Sequence, residues 1–440
     1  MLKRSKALHL GLPTLVSQGS LALWGVLAIL IARRLPEDAY AAFALSRSME
    51  MFAGLLGGGF VLQALLKLGS ERKSRETSAA VNTASAMTVG FSIITGALLL
   101  IFRNVLDSFY SGIDLQGVIP YIVLAAFTGS LAQIPRHMLL TRLGTGKVMF
   151  IDLLVFTVRG GIVGYLIISG KLTGVIQVLR ATASANAAAF IMGTWAARGI
   201  PDISAGFTGT AFKRVMSFAA FSLGTSLAGF IYTRTDILML GKLASAADTA
   251  AYSASRALTS MVVLVSAAAN MVLMPLISRA WSENRRKETL KLVMKAIGIV
   301  ELIQLPVVIL LVFFSEFVIN TVYDGRYLEN WPILAILGTL ALIRPFGSLF
   351  SSAGTAMNRP QYSFWSVLIS AGVNVALNLW LIPELGGTGA ALATAAAVVA
   401  GAGSVVVFTV RRYRQGVSYC GERSGELQLQ SFTSAESKDS

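Results

Sequence analysis

The sequence predicts an all-α polytopic membrane protein of about 12 transmembrane helices. Three observations carry this. The mean hydropathy is +0.68. Hydrophobic residues make up 55% of the 440 positions and charged residues 13%, a balance that soluble chains of this length rarely show. Apolar stretches of about 20 residues, each long enough to cross a hydrocarbon core of about 30 Å, recur along the whole chain.

In chain order the spans are 11–32, 40–66, 80–102, 117–138, 148–169 and 174–195, then 215–240, 249–277, 293–314, 331–355, 362–382 and 388–410. The first is too long for the apolar region of a signal peptide and lacks an evident cleavage site, so it reads as an uncleaved span. The polar segment from Ala197 to Thr210 separates two sets of six. The expected organisation is therefore an N-terminal six-helix lobe (1–196), a cytoplasmic linker (197–214) and a C-terminal six-helix lobe (215–410). A polar, Ser-rich tail (411–440) follows and reads as disordered.

The net charge of +15 is distributed as a membrane protein distributes it. With the amino terminus inside, the inner segments hold clusters such as Lys3, Arg4 and Lys6, Lys67 to Arg75, and Arg279 to Lys295. The outer segments hold only Arg33, Arg34, Arg103, Lys171, Lys242 and Arg326, a bias of about four to one. Both termini are then cytoplasmic, in a cell inner membrane, and no nucleic-acid partner is implied.

The two sets resemble each other. Ala41-Ala42-Phe43-Ala44-Leu45-Ser46-Arg47 matches Ala250-Ala251-Tyr252-Ser253-Ala254-Ser255-Arg256, each leading into the second span of its half. Both of those spans end in a basic loop, Ser70 to Glu76 and Ser282 to Glu288. Six spans per half give both halves one orientation, a parallel pseudo-repeat with a central cavity between the lobes.

Six arginines lie within the apolar segments: Arg47, Arg159, Arg180, Arg234, Arg256 and Arg344. A charge at the bilayer centre costs about 2.5–3.5 kcal/mol even on insertion scales, and such residues usually face a bundle interior or a wet cavity. Arg159 and Arg344 are deepest; Arg180 and Arg256 are shallow enough to snorkel. Several cations on several helices suggest a site for an anion. Four acids share the spans. Glu50 is three residues from Arg47, where a local ion pair is the alternative to a cavity role. Asp152 shares a face with Arg159. Asp236 and Arg234 diverge around their helix, so each is free to meet partners from another span. Glu301 is either a protonated structural carboxyl or a participant in ion coupling. Glu50, Asp152, Asp236 and Glu301 are thus the candidates for ion coupling. Asn374 and Asn378, on one face of the eleventh span, fit interhelical hydrogen bonding.

Other chemistry is missing from the sequence. Cys420 is the only cysteine, and His9 and His137 are the only histidines, which excludes an intrachain disulfide and offers no zinc or haem pattern. Gly144-Thr145-Gly146-Lys147-Val148 lacks the spacing and the hydroxyl residue of a phosphate-binding loop. No metal, no cofactor and no enzymatic activity is expected. Active transport would draw on an ion gradient, the membrane potential or a partner.

An ordered series of segments completes the picture. Tyr232-Thr-Arg-Thr-Asp236-Ile-Leu-Met-Leu-Gly241, Ala251-Tyr-Ser-Ala-Ser-Arg256, Met274-Pro-Leu-Ile-Ser278, and Asn374-Val-Ala-Leu-Asn378 through Thr394 resemble the polysaccharide transporter family. This family contains the Wzx-like oligosaccharide flippases and belongs to the multidrug/oligosaccharidyl-lipid/polysaccharide exporter superfamily. The resemblance implies two six-helix lobes in a V around a central cavity, working by alternating access. It implies an isoprenoid-pyrophosphate-linked oligosaccharide as substrate, moved from the inner to the outer leaflet in polysaccharide or O-antigen assembly. Membrane lipids and a glycan polymerase or ligase would be its partners. The family supplies no strict motif for site residues, so those above come from charge and depth. The alternatives are a drug or organic-cation antiporter of the same superfamily and a non-transporting scaffold of a glycan-assembly complex.

Overall fold

The computed structural model describes Gly19 and residues 23–71, 74–110, 112–200, 202–283 and 285–436, with side chains as far as Tyr413 except at 203, 263 and 264. The regular elements are helices. They are α1 (23–34), α2 (Glu37–Gly54), a π-helical turn (Leu55–Gly59), α3 (Phe60–Gly69), α4 (Arg75–Ile101), the short α5 (Arg103–Phe109), α6 (Ile119–Thr141), α7 (Thr145–Ile168) and α8 (Val175–Ala196). The second half holds α9 (Gly209–Leu243), α10 (Ala246–Ser282), α11 (Arg286–Phe313), the short α12 (Ser315–Tyr323), α13 (Trp331–Ala356) and α14 (Gln361–Glu436).

Nine stretches among the described residues are long and apolar enough to cross a membrane. One of them, Gln361–Tyr413, has 53 residues and breaks at Gly386, where φ is +53°, so it serves as two spans. α6, about 35 Å long at 1.5 Å per residue, is long enough for a further crossing, and α1 covers the end of the first predicted span, so the described helices fit the roughly twelve spans that the sequence predicts. Residues 11–18 and 20–22 of the first predicted span, and His9, lie outside the described residues. Large apolar side chains stand exposed on the flanks, such as Ile101 (72%), Leu302 (73%) and Phe313 (77%). Water would not tolerate so much bare hydrocarbon, but lipid does. The chain is a multi-pass membrane protein.

Local sequence sets the helix starts. Ser74, Thr208 and Ser245 each accept a hydrogen bond from the backbone N–H three residues on, at 3.1, 3.2 and 3.0 Å, and so open α4, α9 and α10. The repeat is visible in the order of elements. In each half the third span is followed by a short helix, α5 or α12, before the fourth. The sequence offers the second of these segments, 315–330, only as a loop. It contains α12 and a 3-10 turn (Leu328–Asn330), because short amphipathic helices give no strong apolar signal. The α14 backbone stays helical to Glu436, where the sequence suggests a disordered tail from Arg411. A helix closes its hydrogen bonds locally and needs no partner to do so. The side chains of that tail, Cys420 included, lie outside the described set.

Within the first lobe α6 packs on α4 and α8, and α7 packs on α8; in the second, α13 packs on α10, α11 and α14. The lobes meet where α2 and α3 face α9 and α10. Gly241 permits this approach, because a β-carbon there would sit 2.7 Å from the Leu45 methyls. At the predicted outer end, Tyr40, Tyr323 and Tyr327 form a buried cluster with centroid separations of 5.4 and 6.4 Å. Arg326 donates to the Leu35 carbonyl at 2.7 Å, and Arg33 pairs with Asp324 at 2.5 Å. At the opposite end Arg214 pairs with Glu71 at 2.6 Å, and the Lys67 ammonium lies 4.7 Å from the Phe218 ring centre. The linker docks here too, with Asn82 donating to the Asp202 carbonyl at 2.9 Å.

The second span is broken near its middle. Gly58 has φ +111°, and the Gly57 carbonyl, freed from the helical ladder, accepts from Ser92 Oγ at 2.5 Å. A freed backbone group inside a membrane persists only when a neighbour satisfies it. A β-carbon on Gly58 would also meet Thr88 Cα at 2.7 Å. Gly58→Ala should therefore lower stability by about 1–3 kcal/mol through backbone strain alone. Gly90→Ala, whose β-carbon meets nothing within 4 Å, should be neutral. Thermal unfolding of the purified protein in detergent checks both. The tyrosine seam gives a second expectation. In a Cys420→Ser background, a cysteine at the fully buried Leu45 position should react slowly with a water-soluble maleimide. Tyr327→Ala should speed that reaction by about tenfold or more, since losing a buried aromatic costs about 3–5 kcal/mol. The exposed Asp324→Ala should change it little.

A candidate cationic site between the lobes

Each lobe encloses a cavity against the seam. The N-terminal one, about 460 Å³, is walled by α2, α3, α6, α7 and α8 and receives Arg47, Glu50, Arg136, Asp152, Arg159 and Asn186. The C-terminal one, about 360 Å³, is walled by α9, α10, α13 and α14 and receives Tyr232, Arg256, Arg344 and a group of serines. The two sets of walls are counterparts under the repeat. Arg47 and Arg256, ten residues into α2 and α10, occupy matching places.

Five of the six predicted arginines make up a chain of residues from lobe to lobe. Arg47 and Arg159 line the N-terminal cavity, Arg256 and Arg344 line the C-terminal one, and Arg234 stands on α9, which packs against α2, α3 and α10. Their neutralisation is uneven. Arg47 is paired with Glu50 at 2.7 Å. Arg256 donates to Asp236 and to the Thr233 carbonyl. Asp236, 1% exposed, also accepts from the Tyr252 hydroxyl, which lies 3.0 Å from Thr394 Oγ1. Asn374 and Asn378 extend this network, Asn378 donating to Asn374 at 3.0 Å.

Arg159, Arg234 and Arg344 belong to none of the ion pairs among the described residues, and each has a buried Nε without a hydrogen-bond partner. Arg159 lies 3.5 Å over the Trp24 ring centre, a cation–π contact that holds the guanidinium without cancelling its charge. Three permanently charged groups therefore keep unused donors inside the bundle, Arg159 at the N-terminal cavity, Arg344 at the C-terminal one and Arg234 on α9. Such an arrangement suits a ligand with several anionic oxygens, which planar guanidiniums bind in pairs.

The remaining predicted residues fall elsewhere. Arg180 is exposed on α8, donates to Tyr121 Oη at 2.6 Å and lines neither cavity. Glu301 on α11 also lines neither, and both its carboxyl oxygens are buried without partners. Asp152 meets Arg136 in a two-bond fork at 2.9 and 3.1 Å. Arg136 falls near the inner end of the predicted span 117–138, where a basic residue reads simply as part of the inner positive charge. The missed signal is symmetry: residues 136 and 152 are equidistant from Gly144, the turn between antiparallel α6 and α7. Sequence alone also leaves Arg256 without an acid. Its partner comes from α9, a contact between helices that helix periodicity cannot show.

The Asp236 pair makes a stability prediction. Asp236→Ala strands Arg256 and Tyr252 beside each other, which should cost about 3–5 kcal/mol. Adding Arg256→Leu should recover much of the loss, a non-additivity that a double-mutant cycle on unfolding midpoints would measure.

Comparison with known proteins follows this geometry. A family model described as "Polysaccharide biosynthesis protein" matches residues 30–332. A relative from Haloferax volcanii, named "Probable low-salt glycan biosynthesis flippase Agl15", is 24% identical over 279 residues, which span 62% of this chain and 57% of that protein. Among solved structures, the lipid II flippase MurJ in an inward closed conformation superposes with a TM-score of 0.76 at 16% identity, over 92% of this chain and 87% of that one. An inward-facing multidrug resistance MATE family transporter of the MOP superfamily gives 0.71 at 14% identity, over 91% and 96%. At these identities the likeness is one of fold. The family model covers well over half of the sequence, and the chain belongs to the polysaccharide biosynthesis protein family, built on the fold of the MOP-superfamily transporters.

Proposed function

We propose that this protein flips an isoprenoid-pyrophosphate-linked oligosaccharide from the inner to the outer leaflet by alternating access, supplying polysaccharide or O-antigen-type assembly. The observation that carries the proposal is the set of three guanidiniums, Arg159, Arg234 and Arg344, deep in the bundle with no carboxylate of their own. An organic cation would be repelled there, which disfavours the antiporter. Arg47 and Arg256 flank the site and would join it when substrate phosphate competes for them. That competition would release Glu50 and Asp236, and so make a proton or cation site available only when the substrate is bound. Asp152 and Arg136 offer the same exchange nearer the inner end; Glu301, away from both cavities, has no such partner to lose. Arg180 is left to anchor the outer end of α8.

In the cell the protein would occupy the cytoplasmic membrane with both termini inside. The lobes 1–196 and 215–410 would rock about the seam, with 197–214 as their tether and 411–440 as a cytoplasmic extension. A glycan polymerase or ligase would take the delivered substrate. The site's role is to bind, translocate and release, not to break a bond.

The test is the leaflet location of lipid-linked glycan in cells depleted of the protein and rescued with Arg159→Gln or Arg344→Gln. Losing one hydrogen bond to a charged group is worth about 1.5–3 kcal/mol. Each variant should therefore cut outward delivery by about tenfold or more while the protein still reaches the membrane. Full delivery by both variants would favour the scaffold. Normal exposure together with altered resistance to organic cations would favour the antiporter.

A further inference from the structure

The two cavities differ in chemistry, although the repeat makes them counterparts. The N-terminal wall carries three arginines and two carboxylates. The C-terminal wall carries Arg256 and Arg344, and among its described residues no carboxylate. The rest of its polar lining is hydroxyl: Tyr232 and Thr233 from α9, Ser348 and Ser351 from α13, and Ser363, Ser366, Ser370 and Thr394 from the two limbs of α14. A single serine of this kind is ordinary helix glue. Eight hydroxyl residues lining one cavity beside two guanidiniums are a different arrangement.

The hydrogen bonds of these serines decide what the wall offers. Ser348, Ser366 and Ser370 spend their protons on the carbonyls of Pro345, Gly401 and Ala397, at 3.3, 2.7 and 3.0 Å. Ser351 and Ser363 share one bond at 2.6 Å. A hydroxyl whose proton is committed still has lone pairs to accept with. The wall is therefore rich in acceptors, and the Arg344 guanidinium, which no carboxylate pairs, supplies donors, while Arg256 already donates to Asp236 and the Thr233 carbonyl. Val367, Val398 and Ala402 add an apolar strip. Acceptors for hydroxyl protons, guanidinium donors and apolar residues for a C–H face together match a neutral pyranose. A volume near 360 Å³ lies at the small end of ligand sites.

We propose that this hydroxyl-lined cavity of the C-terminal lobe is the subsite for the first sugar of the glycan, a neutral hexose-type residue joined directly to the pyrophosphate. The proposal rests on the flippase reading, which puts the pyrophosphate on the arginine chain. Arg344 and Arg256 belong to both that chain and this cavity, so a sugar attached to the bound phosphate enters here. The N-terminal cavity is the poorer choice, because a neutral ring there would bury the Arg47–Glu50 and Arg136–Asp152 pairs without offering them charge. Selectivity follows from the committed serines, since a substrate that cannot donate leaves buried acceptors unmatched.

The experiment uses the full-length protein in lipid nanodiscs and native mass spectrometry. The two probes are polyprenyl pyrophosphate without sugar and the same lipid bearing one hexose. The unaltered protein should bind the glycosylated lipid about tenfold more tightly. Ser348→Leu, which fills the cavity, and Ser351→Ala, which removes an acceptor with little change of shape, should both shrink that preference and leave the bare lipid's affinity unchanged. Arg344→Gln should weaken both probes. A preference that survives both serine variants, or its absence from the unaltered protein, overturns the subsite. So does an equal loss of both probes in the two serine variants. Failure of the unaltered protein to bind either probe refutes the flippase reading itself, a result separate from any of these.

Discussion

A guanidinium that cannot lose its proton, held in an apolar bundle without a carboxylate, is the constraint on which this structure turns. Continuous membrane helices satisfy their own backbone, and apolar side chains satisfy lipid. Charge is what neither can absorb. The bundle handles its arginines in two ways. Arg47, Arg136 and Arg256 receive acids, two of them from a neighbouring helix. Arg159, Arg234 and Arg344 receive none, and they come from α7, α9 and α13, in both lobes. The unpaired charges thus stand in both halves of the bundle, Arg159 and Arg344 each lining a cavity of its own lobe.

Under the proposed flipping activity, that placement would link binding to motion. The lobes are fastened by a tyrosine cluster at one end and by the contacts of α3 and α4 with α9 at the other. Neither fastening is covalent, and their exposed ion pairs contribute little. A ligand that bridges Arg159 on one lobe and Arg344 on the other interacts differently with each arrangement of the lobes, and only such a difference can shift their equilibrium. The broken second span, with its Gly57-Gly58-Gly59 turn, borders the N-terminal cavity and supplies a local departure from a straight helix beside Arg47 and Glu50.

The sequence exposed the fold because lipid imposes a coarse and repetitive signal. Spans of about 20 apolar residues, one-sided basic loops and the matched Arg47 and Arg256 segments suffice for two lobes in parallel. The short helices α5 and α12 escaped, since they lie outside that signal. The candidate site was legible in its residue types, because a deep arginine is costly wherever it points. Its pairing was not. Whether Arg256 meets Asp236, or Asp152 meets Arg136, depends on helix rotation and on which helices are neighbours. Periodicity along one helix fixes neither. The serine cavity was invisible for a related reason: each of its hydroxyls looks like ordinary helix glue until α13 and both limbs of α14 are brought together.

The central claim is that the arginine chain exists for a polyanionic headgroup. Arg234 tests it most directly, because it stands on α9, the helix that packs against α2 and α3 of the other lobe, and its buried Nε has no hydrogen-bond partner. The measurement is equilibrium binding of polyprenyl pyrophosphate, polyprenyl monophosphate and polyprenyl alcohol to the unaltered protein and to Arg234→Gln in nanodiscs. The account predicts affinity falling in that order, by about tenfold or more from first to last, with Arg234→Gln erasing most of the difference. Equal binding of the alcohol and the pyrophosphate, or a preference untouched by Arg234→Gln, would contradict it.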